Sequence, residues 1–224
     1  MALNYDQMAV SSTERTLATN RLIRNTYLLL SMTLLFSAFT AGVSMVLKLP
    51  HPGILITLVG FFGLFFVTAK LRNSVWGLAS IFALTGFMGL TLGPVINAYL
   101  GAFANGGQLV MMAMGGTGTI FVGLSLYALT SRKDFSFMGG FLFVGMLVAI
   151  LASLAAFFLH IPGLQVAVSA AVVMLMSGYI LYDTSNMVHG AETNYIMATV
   201  SLYLNIYNLF LSLLQLLGFS MGDD

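Results

Sequence analysis

Apolar residues run along this chain in seven blocks, and short polar interruptions separate them. The blocks are Thr26 to Leu47, Gly53 to Ala69, Val75 to Val95, Leu109 to Thr130, Phe137 to Leu159, Leu164 to Tyr182 and Tyr195 to Leu217. Each has the roughly 17–25 residues a helix needs to cross a hydrocarbon core of about 30 Å. None alternates with the period of two that a barrel strand shows, and helices satisfy their own backbone groups in lipid. The pattern predicts an all-α membrane protein with seven transmembrane helices. It divides the chain into a disordered tail over 1–24, a transmembrane domain over 25–218 and a short tail over 219–224.

Composition agrees. The chain has 224 residues, of which 59% are hydrophobic and 7% charged, whereas a soluble domain carries about a quarter charged residues. The first 24 residues are polar and contain no apolar core of a cleavable signal. Net charge is +1, which does not suit a nucleic-acid partner, and the bilayer is the first partner expected.

Lys and Arg are distributed unevenly. Arg15, Arg21 and Arg24 precede the first block, Lys70 and Arg72 follow the second, and Arg132 and Lys133 follow the fourth. With seven crossings all of these fall on one side, and Lys48 falls on the other. Positive residues mark the cytoplasmic side. The amino terminus is therefore expected in the cytoplasm, and the carboxyl terminus, ending Asp223-Asp224, outside. Tyr27, Trp76, Tyr99, Tyr127, Tyr182 and Tyr195 lie near block ends, as an interfacial belt requires.

Helices in lipid join through small residues and polar contacts. Gly86, Gly89 and Gly93 of the third block, Gly115, Gly116, Gly118 and Gly123 of the fourth, and Gly139 and Gly140 of the fifth are candidates for close contact. Pro94 removes a backbone donor and should either kink the third helix or end it before Asn97. Two polar stripes follow helical spacing: Thr33, Ser37, Thr40 and Ser44, then Ser201, Asn205, Asn208, Ser212 and Gln215. Hydroxyls of the first stripe can bond their own backbone. Amides of the second are costly in lipid and are expected to face inward, either for interhelical bonding or for a pathway.

Of seven acidic residues, six fall in tails or loops, and Asp183 follows directly on the sixth block. A carboxylate inside the membrane marks a functional site by default. Two readings stand: the helix continues and buries Asp183, or it ends at Tyr182 and leaves Asp183 in solvent. His189 and Glu192 lie in the next loop and form a metal trio with Asp183 on paper, but solvated loop residues are the better reading. No zinc-protease helix, nucleophile elbow or phosphate loop is present, so neither enzyme activity nor a cofactor is expected. The chain has no cysteine.

Several segments carry a resemblance. They are Leu181-Tyr-Asp-Thr-Ser-Asn186, Ser201-Leu-Tyr-Leu-Asn205, Asn208-Leu-Phe-Leu-Ser-Leu-Leu214, Thr85-Gly-Phe-Met-Gly-Leu-Thr-Leu-Gly-Pro94 and Arg132-Lys-Asp-Phe-Ser-Phe137. Together they resemble the Bax inhibitor-1 (transmembrane BAX inhibitor motif) family over nearly the whole chain beyond the amino-terminal tail. The resemblance is strongest to the bacterial branch that modulates the membrane AAA protease FtsH. It implies a bundle with helix 7 at its centre, an inner-membrane location, FtsH as partner and Asp183 facing the interior. Family members that conduct calcium pair this acid with a second Asp on helix 7, as a pH-sensitive gate. Asn205 stands at that position here. One carboxylate in place of two implies a weaker calcium site at Asp183 and no shared proton. The family's basic partner near the end of helix 2 has its counterparts in Lys70 or Arg72.

Overall fold

The computed structural model describes residues 2–221; Asp223 and Asp224, expected in an external tail, lie outside them. Seven helices follow in order: α1 (Ala2–Val46), α2 (Ile54–Leu71), α3 (Val75–Ala102), α4 (Gly106–Ser131), α5 (Met138–Leu159), α6 (Pro162–His189) and α7 (Tyr195–Met221). Among the described residues, all seven are long and apolar enough to span a membrane. The molecule is an all-α membrane bundle.

Three boundaries differ from the sequence pattern, each for a physical reason. Helix α1 begins at Ala2, within the segment expected as a tail. No proline and no glycine interrupts the chain before Gly42, so nothing local stops the helix where its apolar span ends. Helix α3 passes through Pro94 to Ala102. Proline cannot bond the carbonyl four residues back, and that carbonyl, Leu90 O, accepts instead from Ser44 Oγ of α1 at 2.9 Å. The helix continues because a neighbour satisfies the group that proline frees. Helix α6 continues seven residues beyond Tyr182, to His189, and stops at Gly190, whose φ of 78° lies in the left-handed region that suits glycine.

Helices α1 and α3 form the most extensive pair, followed by α6 with α7. Helix α7 packs against α6, α4, α1 and α3, whereas α2 is held mainly by α3 and α5 mainly by α6. The α1–α3 seam depends on the glycines of α3. A side chain at Gly86 would meet the Phe36 ring at 2.6 Å, one at Gly89 would overlap the Ser37 carbonyl, and one at Gly93 would meet Ser44 Cβ at 2.5 Å. The α4 glycines behave otherwise. Around Gly115, Gly118 and Gly123 there is open space, and Gly116 would touch only Leu213, at 3.4 Å. The close contacts expected on α4 are not made.

Apolar packing falls into three groups along the bundle. Leu30, Ile81, Leu84, Met187, Ile196 and Tyr203 form one between α1, α3, α6 and α7. Leu142, Met176, Ile180 and Leu209 join α5, α6 and α7. Leu109, Ala113, Phe210 and Leu214 close α4 against α7.

Candidate functional site at the α6–α7 interface

Because α6 runs on to His189, Asp183 sits inside the helix and is partly buried, with Thr184 and Ser185 beside it fully buried. Asn205, 7% exposed, reaches it from α7: Nδ2 donates to Asp183 Oδ2 at 2.7 Å. The two residues singled out on chemical grounds therefore meet. The bond is charge-assisted when Asp183 is ionised. An amide has no proton to share, so the pair carries a single titrating group where two carboxylates would exchange one proton between them.

Lys70 and Arg72 are both exposed. The hydrogen-bond partner of the Asp183 carboxyl is Asn205 of α7. Arg72 does take part in the same end of the bundle, through its backbone. Its carbonyl accepts from Asn194 Nδ2 at 3.1 Å, and the same amide reaches Asn73 Oδ1 at 2.8 Å. Asn194 Oδ1 meanwhile caps the start of α7 by accepting from the Ile196 and Met197 amides.

The loop residues do not gather around a metal. His189 Nδ1 lies 2.9 Å from Ser185 O, and Glu192 Oε1 accepts from the Thr193 and Asn194 amides. Among the described residues no group of three His, Cys, Asp or Glu side chains is placed to hold a metal ion. Asp183 stands as one carboxylate with an amide partner.

The α7 stripe divides in two. Asn205 and Ser212 are buried, and Ser201 is partly buried. Gln215 is exposed, yet Oε1 accepts from Ser169 Oγ of α6 at 2.8 Å. Asn208 is exposed and turns back on its own helix, with Nδ2 donating to Leu204 O at 2.8 Å. The stripe thus follows the α6–α7 seam with one edge outside it.

Sequence reasoning missed several polar contacts that the folded bundle makes. Tyr203 is fully buried, its hydroxyl 2.7 Å from Ser37 Oγ and 3.3 Å from Thr85 O. Tyr27 OH meets Thr184 Oγ1 at 3.4 Å. Ser185 Oγ accepts the Phe135 amide at 3.0 Å and so docks the α4–α5 loop on α6. In that loop Asp134 accepts the Ser136 amide at 2.8 Å, which holds its carboxyl below the usual range. Hydroxyls inside apolar runs give little signal, because each can bond its own preceding turn. Thr33 and Thr40 do so here.

A seven-helix membrane bundle with an acid on α6 hydrogen-bonded to α7 defines the class of this protein. The family described as inhibitor of apoptosis-promoting Bax1 matches residues 19–222, and the chain belongs to that Bax inhibitor-1 family. It is 51% identical over 220 residues to the Escherichia coli K12 protein named modulator of FtsH protease YccA, covering 97% of this chain and all of that one. An uncharacterised Pseudomonas aeruginosa protein is 55% identical over 202 residues, 90% of each chain. A Vibrio cholerae membrane protein is 47% identical over 215 residues, 96% of each.

Proposed function

We propose that this protein is an inner-membrane regulator that binds an FtsH-type AAA protease and restrains its proteolysis of membrane proteins. The observation that carries this reading is the 51% identity, over 97% of this chain, with a protein named as a modulator of that protease. Under the orientation implied by the basic residues, α1 begins on the cytoplasmic side, and its apolar span starts at Thr16. The residues ahead of Thr16 are a handle that a cytoplasmic protease can grasp. Extraction from that end has to pull α1 out of its seam with α3, where backbone and side chain leave no room for sliding. A substrate that is engaged but resists extraction occupies the protease, and other membrane proteins survive longer.

Co-reconstitution of the protease, a labelled membrane substrate and this protein tests the proposal. The full chain should slow degradation of the substrate, and deletion of residues 2–20 should restore it. Equal degradation with and without the full chain would sink the regulatory reading. Slowing that survives the deletion would sink the handle.

Asp183 supports a second reading, a cation leak that includes calcium. A partly buried carboxylate bonded across two spanning helices is a group that lipid alone does not favour. In proteoliposomes, calcium flux across neutral pH should change with Asp183→Asn, and Asn205→Asp should add a pH-dependent component. Flux that is absent in the wild type and in both variants would dismiss conduction.

A further inference from the structure

Helices α1 and α4 meet through Tyr27 and Phe121, whose rings lie 6.0 Å apart. Beyond that contact a cleft of about 570 Å³ opens between them, floored by α7 at Tyr203, Ile206, Tyr207 and Phe210. It follows α1 from Leu34 to Met45 and α4 from Val110 to Phe121, about 16 Å on each helix at 1.5 Å per residue. Both stretches lie in the half of the bundle remote from the basic residues: Met45 is next to last in α1, and Val110 is in the second turn of α4.

Water has little reason to fill this space. Of its hydroxyls, Ser37 is engaged with Tyr203, Thr117 bonds Ala113 O at 2.7 Å and Tyr207 lies 3.4 Å from Thr91 Oγ1. An apolar cavity without free polar partners stays dry. The cleft is continuous with the surface that the spans present to lipid, since Leu35 and Met114 on its lips are 72% and 59% exposed. Its length matches one leaflet of the hydrocarbon core, about 15 Å. Lys48, the basic residue on this side, follows Met45 by one turn, and its amide bonds Met45 O at 3.1 Å. A cation one turn beyond an apolar slot one leaflet deep complements a phosphate above an acyl chain.

We propose that the α1–α4 cleft is a phospholipid site, holding one acyl chain from the leaflet opposite the basic face with Lys48 beside the lipid phosphate. Gly42 and Gly118 line the slot, and a Cβ added at either meets nothing within 4 Å. Leucine at either position is expected to project into the cleft, where its first carbon meets no neighbour. Gly63 of α2 is equally open and does not line the cleft, which makes Gly63→Leu the matched control.

Full-length protein should be purified from nanodiscs of phosphatidylethanolamine and phosphatidylglycerol, and retained lipid counted by native mass spectrometry. Wild type and Gly63→Leu should keep one phospholipid, while Gly42→Leu and Gly118→Leu should reduce retention about tenfold with melting no lower than that of wild type. Lys48→Gln should lower phosphatidylglycerol retention about fivefold. A phospholipid with a diazirine in its acyl chain should label residues between 34 and 45 and between 110 and 121. Labelling spread evenly over the seven helices, or equal retention by the filled variants, overturns the site. Unchanged retention by Lys48→Gln overturns the headgroup contact. Preferential retention of an added polyleucine-alanine transmembrane peptide, lost on filling the cleft, shows that the occupant is a helix and overturns the acyl-chain assignment.

Discussion

Helices α3 and α4 are both rich in glycine, yet they use it in opposite ways. On α3, Gly86, Gly89 and Gly93 are spaced to present one bare ridge, and α1 lies so close that an added methyl group would strike backbone at Gly89. On α4, Gly115, Gly118 and Gly123 face open space, and two of the seam's would-be neighbours, α1 and α4, part to leave the cleft. The difference shows that a glycine-rich span does not by itself imply a tight contact. A seam forms where the facing helix also supplies a fitting surface and polar partners. Helix α1 does this for α3, with Ser44 bonding Leu90 O and Met45 O accepting from Asn97 Nδ2 at 3.1 Å.

The contrast can be broken most strongly at its tightest point. Gly89→Leu should cost about 3 kcal/mol or more of stability, as forced overpacking does, and should lower the melting temperature in detergent sharply. Asn205→Leu removes the donor from a partly buried carboxylate and should cost about 1.5–3 kcal/mol; Asp183→Asn in the same background should recover part of it. If Asn205→Leu melts with the wild type, the bond to Asp183 contributes little to the α6–α7 seam. Ser44→Ala leaves Leu90 O without its replacement donor and should cost about 1 kcal/mol. A sharper view of that bond comes from adding Pro94→Ala, which restores the missing amide and should make Ser44→Ala nearly neutral. Gly118→Ala is expected to be the smallest change, neutral or stabilising by up to about 1 kcal/mol from helix propensity. Destabilisation there would mean that α4 is packed as tightly as α3.

Much of the candidate site could be read from residue types. Asp183 stood out because carboxylates are rare in apolar runs, and Asn205 because amides are costly in lipid. Their meeting could not be read so directly, since spacing left open whether α6 ended at Tyr182. The helix continues because Gly190, seven residues after Asp183, offers the first left-handed stop. Lys70 and Arg72 were sound candidates by charge, but their side chains are exposed, and Arg72 contributes a carbonyl instead. The α7 stripe was read as a single inward face, and Asn208 departs from it because its amide finds a partner in the preceding turn. Ser185, Tyr203 and Thr184 escaped notice because a hydroxyl in a spanning helix looks the same whether it bonds its own backbone or another helix.

Length and hydrophobicity of the blocks were enough to determine seven spanning helices, because the bilayer imposes a fixed thickness and forbids unpaired backbone. The spacing of polar residues likewise determined which side chains share a face. Tertiary structure decided which faces meet: which glycines are bare for a reason, which hydroxyl serves Pro94, and where two helices part to leave a slot. In lipid no hydrophobic gradient sorts one apolar helix face from another, so those pairings depend on shape and single hydrogen bonds that appear when the helices come together.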